Sequence, residues 1–545
     1  MKRRFWLLIV PVALILFSFT PPADRFFELA KNLEIFASLF KEVNNLYVDE
    51  VSPNKMARDG IETMLSTLDP YTNYIPEDEV EDSRTRNTGQ YGGIGASTIN
   101  IGHRIVVSMV YENYPAYKNG LKIGDEIIKL NGIELSKFSE EESNRLMKGQ
   151  VGTSVKVSVK RFGVPNLIDL EFTREKIKVN VVPYSGMVSD DIGLVQLTEF
   201  TSECSKEVRN TIVQLKTQGA KKVILDLRGN PGGHLNEAVE ICNLFIPKGK
   251  LVVTTRGKNE SNVSETRSVP LDEEIPVAVL INRTSASASE IVAGTLQDYD
   301  RAVIVGERSF GKGLVQMGKP FLYNSYIKIT SAKYYTPSGR CIQALDYSHR
   351  REDGSVLSVP DSVRKEFKTQ NGRKVFDGGG ISPDLAVTME EPAPIAVALA
   401  QQGFIFDYAT EYAAKHEKMA SLKSFSLTDA EYTDFVSWMK GKHFNYETPV
   451  EKQLHALKEA AEHEQYQSEI KPQLDKLNNL LTNLHLQDFY NQKKQIKQLL
   501  EAEIVAHHYL ERGMAEFRLQ SNAEVTKAIE ILSNPSLYKK TLQHP

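Results

Sequence analysis

Cysteine is scarce: Cys204, Cys242 and Cys341 are the only three in 545 residues. Their odd number and scattered spacing exclude a disulfide framework and a cysteine-built zinc site. The chain has no His-Glu-x-x-His run and no Gly-x-x-x-x-Gly-Lys-Ser/Thr, so neither a two-histidine zinc helix nor a phosphate-cradling loop is expected. The 11 histidines concentrate after residue 400, leaving His103, His234 and His349 in the chemically suggestive part. Charge of one sign is also missing, since 66 basic and 70 acidic residues leave a net charge of -4. A field that weak gives no reason to expect a nucleic-acid partner, and no metal or other cofactor is expected. Beyond Phe19 there is no apolar run long enough to span a membrane. Before it, Lys2-Arg3-Arg4 precedes the apolar stretch Phe5 to Phe19, which contains Pro11 and is followed by Pro21-Pro22. That stretch is short against the roughly 20 residues of a span. Residues 1–22 read as a secretion signal or an uncleaved membrane anchor, the anchor favoured because Pro21-Pro22-Ala23 is a poor cleavage site. The basic flank puts the remainder on the far side of the membrane.

What is present is ordinary globular composition, 41% hydrophobic and 25% charged, over a length that allows several domains. Residues 23–88 carry helical periodicity in Phe27, Leu29, Leu33, Phe36, Phe40 and then Met56, Ile61, Met64 and Leu65. The turn Asp69-Pro-Tyr-Thr-Asn-Tyr74 follows. Over 89–179 the pattern changes to short strands and glycine turns, with a polar helix from Ser139 to Met147 and an alternating strand at Gly152 to Lys160. Residues 180–390 read as an α/β core, in which the strand Lys222 to Leu227 feeds Arg228-Gly-Asn-Pro-Gly-Gly233 and then a helix. Gly232 and Gly233 therefore sit where backbone amides can face a ligand. Residues 391–545 read as successive helices, Ile395 to Tyr412, Asp429 to Met439, Pro449 to Ile470, Leu474 to Leu484 and Gln487 to Gly513, forming a structural bundle.

The densest chemistry lies between Pro276 and Gln316. The apolar strand ending at Asn282 is followed by Ser285-Ala-Ser287-Ala-Ser289-Glu290 and a helix, and the next strand, Arg301 to Gly306, delivers Phe310-Gly-Lys312-Gly313. Ser287-x-x-Glu290 also fits a capping box. A serine hydroxyl needs a base, and a lysine serves only if burial lowers its pKa from roughly 10.4 toward neutrality. Gln316 is suited to orienting the amine without adding charge. Two other arrangements remain open: His234 as base, and Ser309 with Lys312 at Ser-x-x-Lys spacing.

In this order and spacing, Ser285-Ala-Ser-Ala-Ser-Glu-Ile291, Gly306-Glu307, Gly311-Lys-Gly313 and Gln316 resemble the C-terminal processing peptidases, or tail-specific proteases, a likeness that covers about residues 30 to 390. The string Gly120-Leu-Lys-Ile-Gly-Asp-Glu-Ile-Ile-Lys-Leu-Asn-Gly132 resembles a PDZ domain. The resemblance implies a multidomain α/β fold: a ClpP/crotonase-like α/β protease core (180–390), an inserted PDZ-like domain (89–179), N-terminal helices (23–88) and a helical C-terminal region (391–545). It implies Ser287 as nucleophile, Lys312 as base and Gln316 as helper, with Ala288 and Gly233, or its neighbour Gly232, as oxyanion hole. Gly93, Ile94, Gly95 and Ala96 would hold the terminal carboxylate of a peptide while a strand edge pairs with its chain. The expected function is a serine endopeptidase that cuts exported proteins near their C-termini, in the bacterial periplasm or cell envelope, attached to the inner membrane if residues 1–22 are retained. Its partners would be protein tails, with an adaptor or a second copy on the C-terminal helices as the alternative to a purely structural bundle. A scaffold that collects tails without turnover is the reading from another class.

Overall fold

The computed structural model describes residues 23–543 except 136, 137, 139, 352, 389, 420, 465, 466 and 521. The segment 1–22 read as a signal or anchor, and Ser139, lie outside the described residues. Residues 76–317 with 330–545 form one compact unit, and residues up to 75 with 318–329 form another. No helix among the described residues is long and apolar enough to cross a membrane.

The larger unit is built on a six-stranded sheet: β1 (Ser185–Met187), β2 (Ile192–Gln196), β3 (Lys222–Asp226), β4 (Val277–Ile281), β5 (Ala302–Gly306) and β6 (Leu385–Ala386), adjacent in that order. β1 runs antiparallel to β2, and every later pair is parallel. Every residue of β4 and β5 is buried, as a parallel sheet covered on both faces requires, and this is why those strands are unbroken apolar runs in the sequence. On one face lie α1 (Cys204–Thr217), α2 (Leu235–Cys242) and α3 (Ala288–Asp298), whose Val208, Ile212, Ala238, Ile241, Val292 and Leu296 pack with Val223, Leu225 and Val279.

The other face is closed from far along the chain. Val525, Ala528, Ile531 and Leu532 of helix Ala523–Ser533 pack against Leu194, Ile224, Ala278, Leu280, Val303 and Val305. The Tyr538 hydroxyl donates to the Val277 carbonyl at 3.1 Å and accepts from its amide at 3.0 Å. The helical stretch expected over 391–545 therefore divides in its packing, because its last two helices cover the six-stranded sheet. The rest has its own core of Ile395, Leu399, Tyr408, Tyr432, Phe435, Leu500 and Ile504. Its first helix, read as continuous from Ile395 to Tyr412, breaks at Gly403 into Pro394–Gln401 and Phe404–Lys415. Gly403 takes φ +80°, and a Cβ there would lie 2.4 Å from Ile101.

Ile101 belongs to the PDZ-like domain, a sheet ordered Ala96–Ile101, Arg104–Val110, Glu126–Leu130, Ser154–Lys160 and Ile168–Thr173, with helix Glu140–Met147. Ala96–Ile101 is an edge strand paired only with Arg104–Val110 among the described residues. Phe406 from the helical region is buried within this domain's own apolar cluster, and Arg104 pairs with Asp407 at 2.7 Å.

The smaller unit contains helices Ala23–Leu46 and Pro53–Ser66, the second capped by Ser52 with proline at its first turn. Phe27, Leu29, Leu33 and Phe36, read as helical from their periodicity, lie on the helix Ala23–Leu46 and are exposed. Asp69 fixes the turn that follows by accepting from the amides of Tyr71 and Thr72.

Removing the Phe406 ring should weaken the seat of the PDZ-like domain by about 3 kcal/mol, the usual cost of a buried Phe→Ala change. In Phe406→Ala, amide exchange should quicken across residues 101–110 while 277–281 keep their protection. Unchanged exchange at 101–110 would mean that the ring does not hold the domain.

Candidate active site

Two strand ends and two turns of the core meet at α3. β4 ends at Ile281, and Asn282 to Ala286 carry the chain into Ser287, whose φ of +53° and ψ of -111° open the helix. A left-handed φ at a residue with a side chain costs of order 1–3 kcal/mol, so the surroundings must impose it. They do so through Glu290, which is fully buried. Its Oε2 accepts from the Ser287 amide at 2.8 Å and from the Lys312 amide at 2.9 Å. Its Oε1 accepts from the Gly311 amide at 2.7 Å and the Ser309 hydroxyl at 2.5 Å. One carboxylate thus joins the turn bearing Ser287 to the loop bearing Lys312. Burial pushes the Glu290 pKa up to about 7 against the pull of those donors. From below, the Tyr334 hydroxyl donates to the Ser287 carbonyl at 3.2 Å.

The glycine turn after β3 lies directly against this serine. A Cβ on Gly232 would come within 2.8 Å of both the Ser287 Cβ and the Ala288 amide nitrogen, so only glycine allows the approach. The flanking serines hold the turn: Ser285 Oγ donates to the Leu227 carbonyl at 2.8 Å, and Ser289 Oγ donates to the Asn230 carbonyl at 3.0 Å. The Ala286 amide donates to that same Asn230 carbonyl. The Gly232 amide is committed to Asn230 Oδ1 at 2.9 Å. Among the described residues, the amides of Gly233 and Ala288 have no such acceptor.

The structure therefore brings together Ser287, Ala288, Gly232, Gly233 and the backbone of Lys312. Gln316 lies on the next strand, Leu314–Pro320, and its Nε2 donates to Thr330 Oγ1 at 3.2 Å. His234 Nε2 donates to the Asn87 carbonyl at 2.9 Å, which spends that nitrogen. The Ser309 hydroxyl donates to Glu290 and accepts from the Ile381 amide at 2.7 Å. No group of three or more His, Cys, Asp or Glu side chains among the described residues is placed to hold a metal ion. The bonds made by Ser285, Ser289, Asn230 and Tyr334 to this turn leave no mark in the sequence. Serine and asparagine in turns look alike in a sequence whether or not their acceptors lie 60 residues away.

The proposed peptide-binding residues lie apart from this site. A groove of about 300 Å³ runs along the edge strand, lined by Gly93, Ile94, Ala96, Ser97 and Thr98 on one side and by Met147 and Lys148 at the helix end. Gly95 does not line it: at φ +80° it turns the chain and abuts Tyr114, which a Cβ would approach to 2.3 Å. Lys148 pairs with Asp82 at 2.7 Å.

Comparison with known proteins follows the same division. The pattern of peptidase family S41 matches residues 191–349, that of the PDZ domain residues 92–172, and that of the probable PDZ-protease C-terminal helical domain residues 395–532. The carboxy-terminal-processing protease of Bartonella bacilliformis is 37% identical over 321 residues, 58% of this chain and 73% of that protein. The carboxy-terminal processing protease CtpA of Bacillus subtilis is 35% identical over 306 residues, 56% of this chain and 65% of that protein. A solved photosystem II D1 C-terminal processing protease aligns with 68% of this chain and 96% of its own, at 24% identity and a TM-score of 0.36.

Glu290→Gln keeps the shape but turns an NH2 toward donors, leaving part of the set without an acceptor. Turnover should fall by about tenfold or more, the scale of a small misplacement of reacting groups. The pH dependence of stability should change as well. The folded pKa lies above the ordinary value of 4.5, so the folded state binds an extra proton between about pH 4.5 and 7, and this contribution is lost as pH rises through 7. Wild type should therefore gain stability relative to Glu290→Gln as pH falls across that window. Parallel denaturation curves from pH 5 to 8 would show that the carboxylate titrates normally.

Proposed function

The chain belongs to the carboxy-terminal processing proteases of peptidase family S41, serine-type peptidases, and on that premise we propose that Ser287 and Lys312 form its catalytic dyad. The observation that carries this reading is the shared Glu290 oxygen, which accepts from the amides of both residues. Lys312 takes the hydroxyl proton, Ser287 Oγ attacks the peptide carbonyl, and the unspent amides of Gly233 and Ala288 receive the developing oxyanion. Gly232 drops out of this role because Asn230 already takes its amide proton. The protonated lysine then gives its proton to the leaving amine and activates the water that resolves the acyl-enzyme. Gln316 orients the amine, since donation of its nitrogen to Thr330 leaves Oε1 as an acceptor. Engagement of the ring nitrogen of His234 and of the Ser309 hydroxyl disfavours the two other arrangements.

The tail of the substrate is captured in the groove beside Ala96–Ile101, where an extended peptide adds a strand to the free edge and its end reaches the loop Gly93–Ile94. Export to the periplasm or cell envelope, with attachment to the inner membrane if the N-terminal segment is kept, rests on Lys2 to Phe19 alone. Substrates would then be exported proteins with exposed C-terminal tails.

Ser287→Ala and Lys312→Ala should each lose at least about 10⁴-fold in turnover of an unstructured tail peptide while still binding it. Ser97→Trp should fill the groove and raise KM by about tenfold with kcat unchanged, since it removes binding common to ground and transition states. Turnover surviving in Lys312→Ala would remove the dyad. A peptide that wild type binds but never shortens would favour the scaffold.

A further inference from the structure

The glycine turn proposed to hold the oxyanion is fixed to the Ser287 side by Asn282, Ser285, Ala286 and Ser289, and at its entry a second, separate element also takes hold. Arg228, between β3 and Gly229, makes a two-pronged pair with Asp226 through Nε and Nη2, at 2.8 and 2.6 Å. Its remaining nitrogen, Nη1, reaches the start of helix Ala523–Ser533, donating to Asn522 Oδ1 at 2.7 Å and to Glu524 Oε2 at 3.0 Å. The side chains of Asp226 and Glu524 are 0% and 2% exposed. Asp226 ties the guanidinium only to its own strand. Glu524 and Asn522 set the guanidinium against a different part of the chain, nearly 300 residues on.

The helix does not need this pair in order to dock. Val525, Ala528, Ile531 and Leu532 already give it an apolar seat on the sheet, and a buried ion pair is in general weak evidence for stability. The buried pair instead fixes direction, because a planar guanidinium held on both forks leaves the following residues little freedom. Gly229 and Gly232 both adopt positive φ, and with their amides held by Asn282 and Asn230 the guanidinium adds a side-chain restraint at the start of a backbone that glycine leaves soft.

Resting on the Ser287 reading, we propose that Glu524 and Asn522 are positioning residues for the oxyanion turn, so that the C-terminal helical region takes part in catalysis through Arg228. The full-length Glu524→Gln protein tests this. Active sites are counted with a fluorophosphonate, kcat and KM are measured per counted site on a tail peptide, and affinity is measured for a peptide boronate, whose tetrahedral adduct uses the same amides.

The expected result is KM within about twofold of wild type, kcat per site lower by about tenfold or more, and a parallel loss of boronate affinity. Adding Asn522→Asp to Glu524→Gln returns a carboxylate to Arg228 and keeps an acceptor for the Val525 amide, which Asn522 now caps at 3.0 Å. This double variant should recover most of the lost kcat. Unchanged kcat per site and boronate affinity in Glu524→Gln, or a loss confined to melting temperature and the number of active sites, would overturn the proposal. Failure of wild type to react at Ser287 would instead sink the dyad reading itself.

Discussion

The Glu290 carboxylate, buried at the first turn of α3, is the constraint on which the rest of the site depends. It accepts two amides and a hydroxyl from the Ser309–Lys312 loop and one amide from the Ser287 turn. Glu290 thereby fixes a left-handed serine and a lysine loop in a single frame. An apolar residue there would leave several buried donors unmet, and a neutral amide would satisfy only part of them. Desolvation and donor number oppose each other, and burial prevails far enough to bring the carboxyl close to neutrality.

The same arrangement explains why three serines alternate before the helix. Ser287 faces the glycine turn, while its neighbours at 285 and 289 spend their hydroxyls on the carbonyls at either end of that turn, Leu227 and Asn230. A turn rich in glycine can approach Ser287 closely only because other groups remove the freedom that glycine brings. Asn230 adds to this from within, donating to the Leu197 carbonyl at 2.8 Å and accepting from Gly232. Among the described residues, the amides of Gly233 and Ala288 are left without acceptors beside this braced turn.

Legibility in the sequence followed what each pattern physically encodes. Lys222 to Leu227 and Pro276 to Ile281 were readable as strands because both faces of a parallel sheet are covered, so their burial appears as an unbroken run. The family resemblance put forward Ser287, Lys312 and the glycine pair as candidates, and the approach of Gly232 to Ser287 is what the structure adds. What the serines on either side bond to was not readable, since an acceptor distant in sequence leaves no local trace. The C-terminal helices were readable as helices, but an amphipathic stripe does not name the surface it covers. Nothing local distinguishes Val525 and Ile531, on the protease sheet, from Tyr432 and Leu500, in a bundle of their own. Within helix Lys493–Gln520, Leu510 departs to φ +54° with neither proline nor glycine at that position to announce it, and its side chain packs on the PDZ-like cluster.

This distribution gives the helical region two attachments with different physics. Phe406 enters the PDZ-like core as a large apolar group, with Arg104 and Asp407 beside it in a pair still partly open to solvent. Such an ion pair is worth little against water, so the ring dominates that attachment. At the protease end the order is reversed in kind: an apolar seat supplies the adhesion, and Arg228 between Asp226 and Glu524 supplies the orientation proposed above. A part of the chain that contains no proposed catalytic residue thus touches both the domain that holds the groove and the turn that faces Ser287. The first attachment comes from the bundle with its own core and the second from the last two helices, which pack on the six-stranded sheet, so the two ends of the helical region are held by different surfaces.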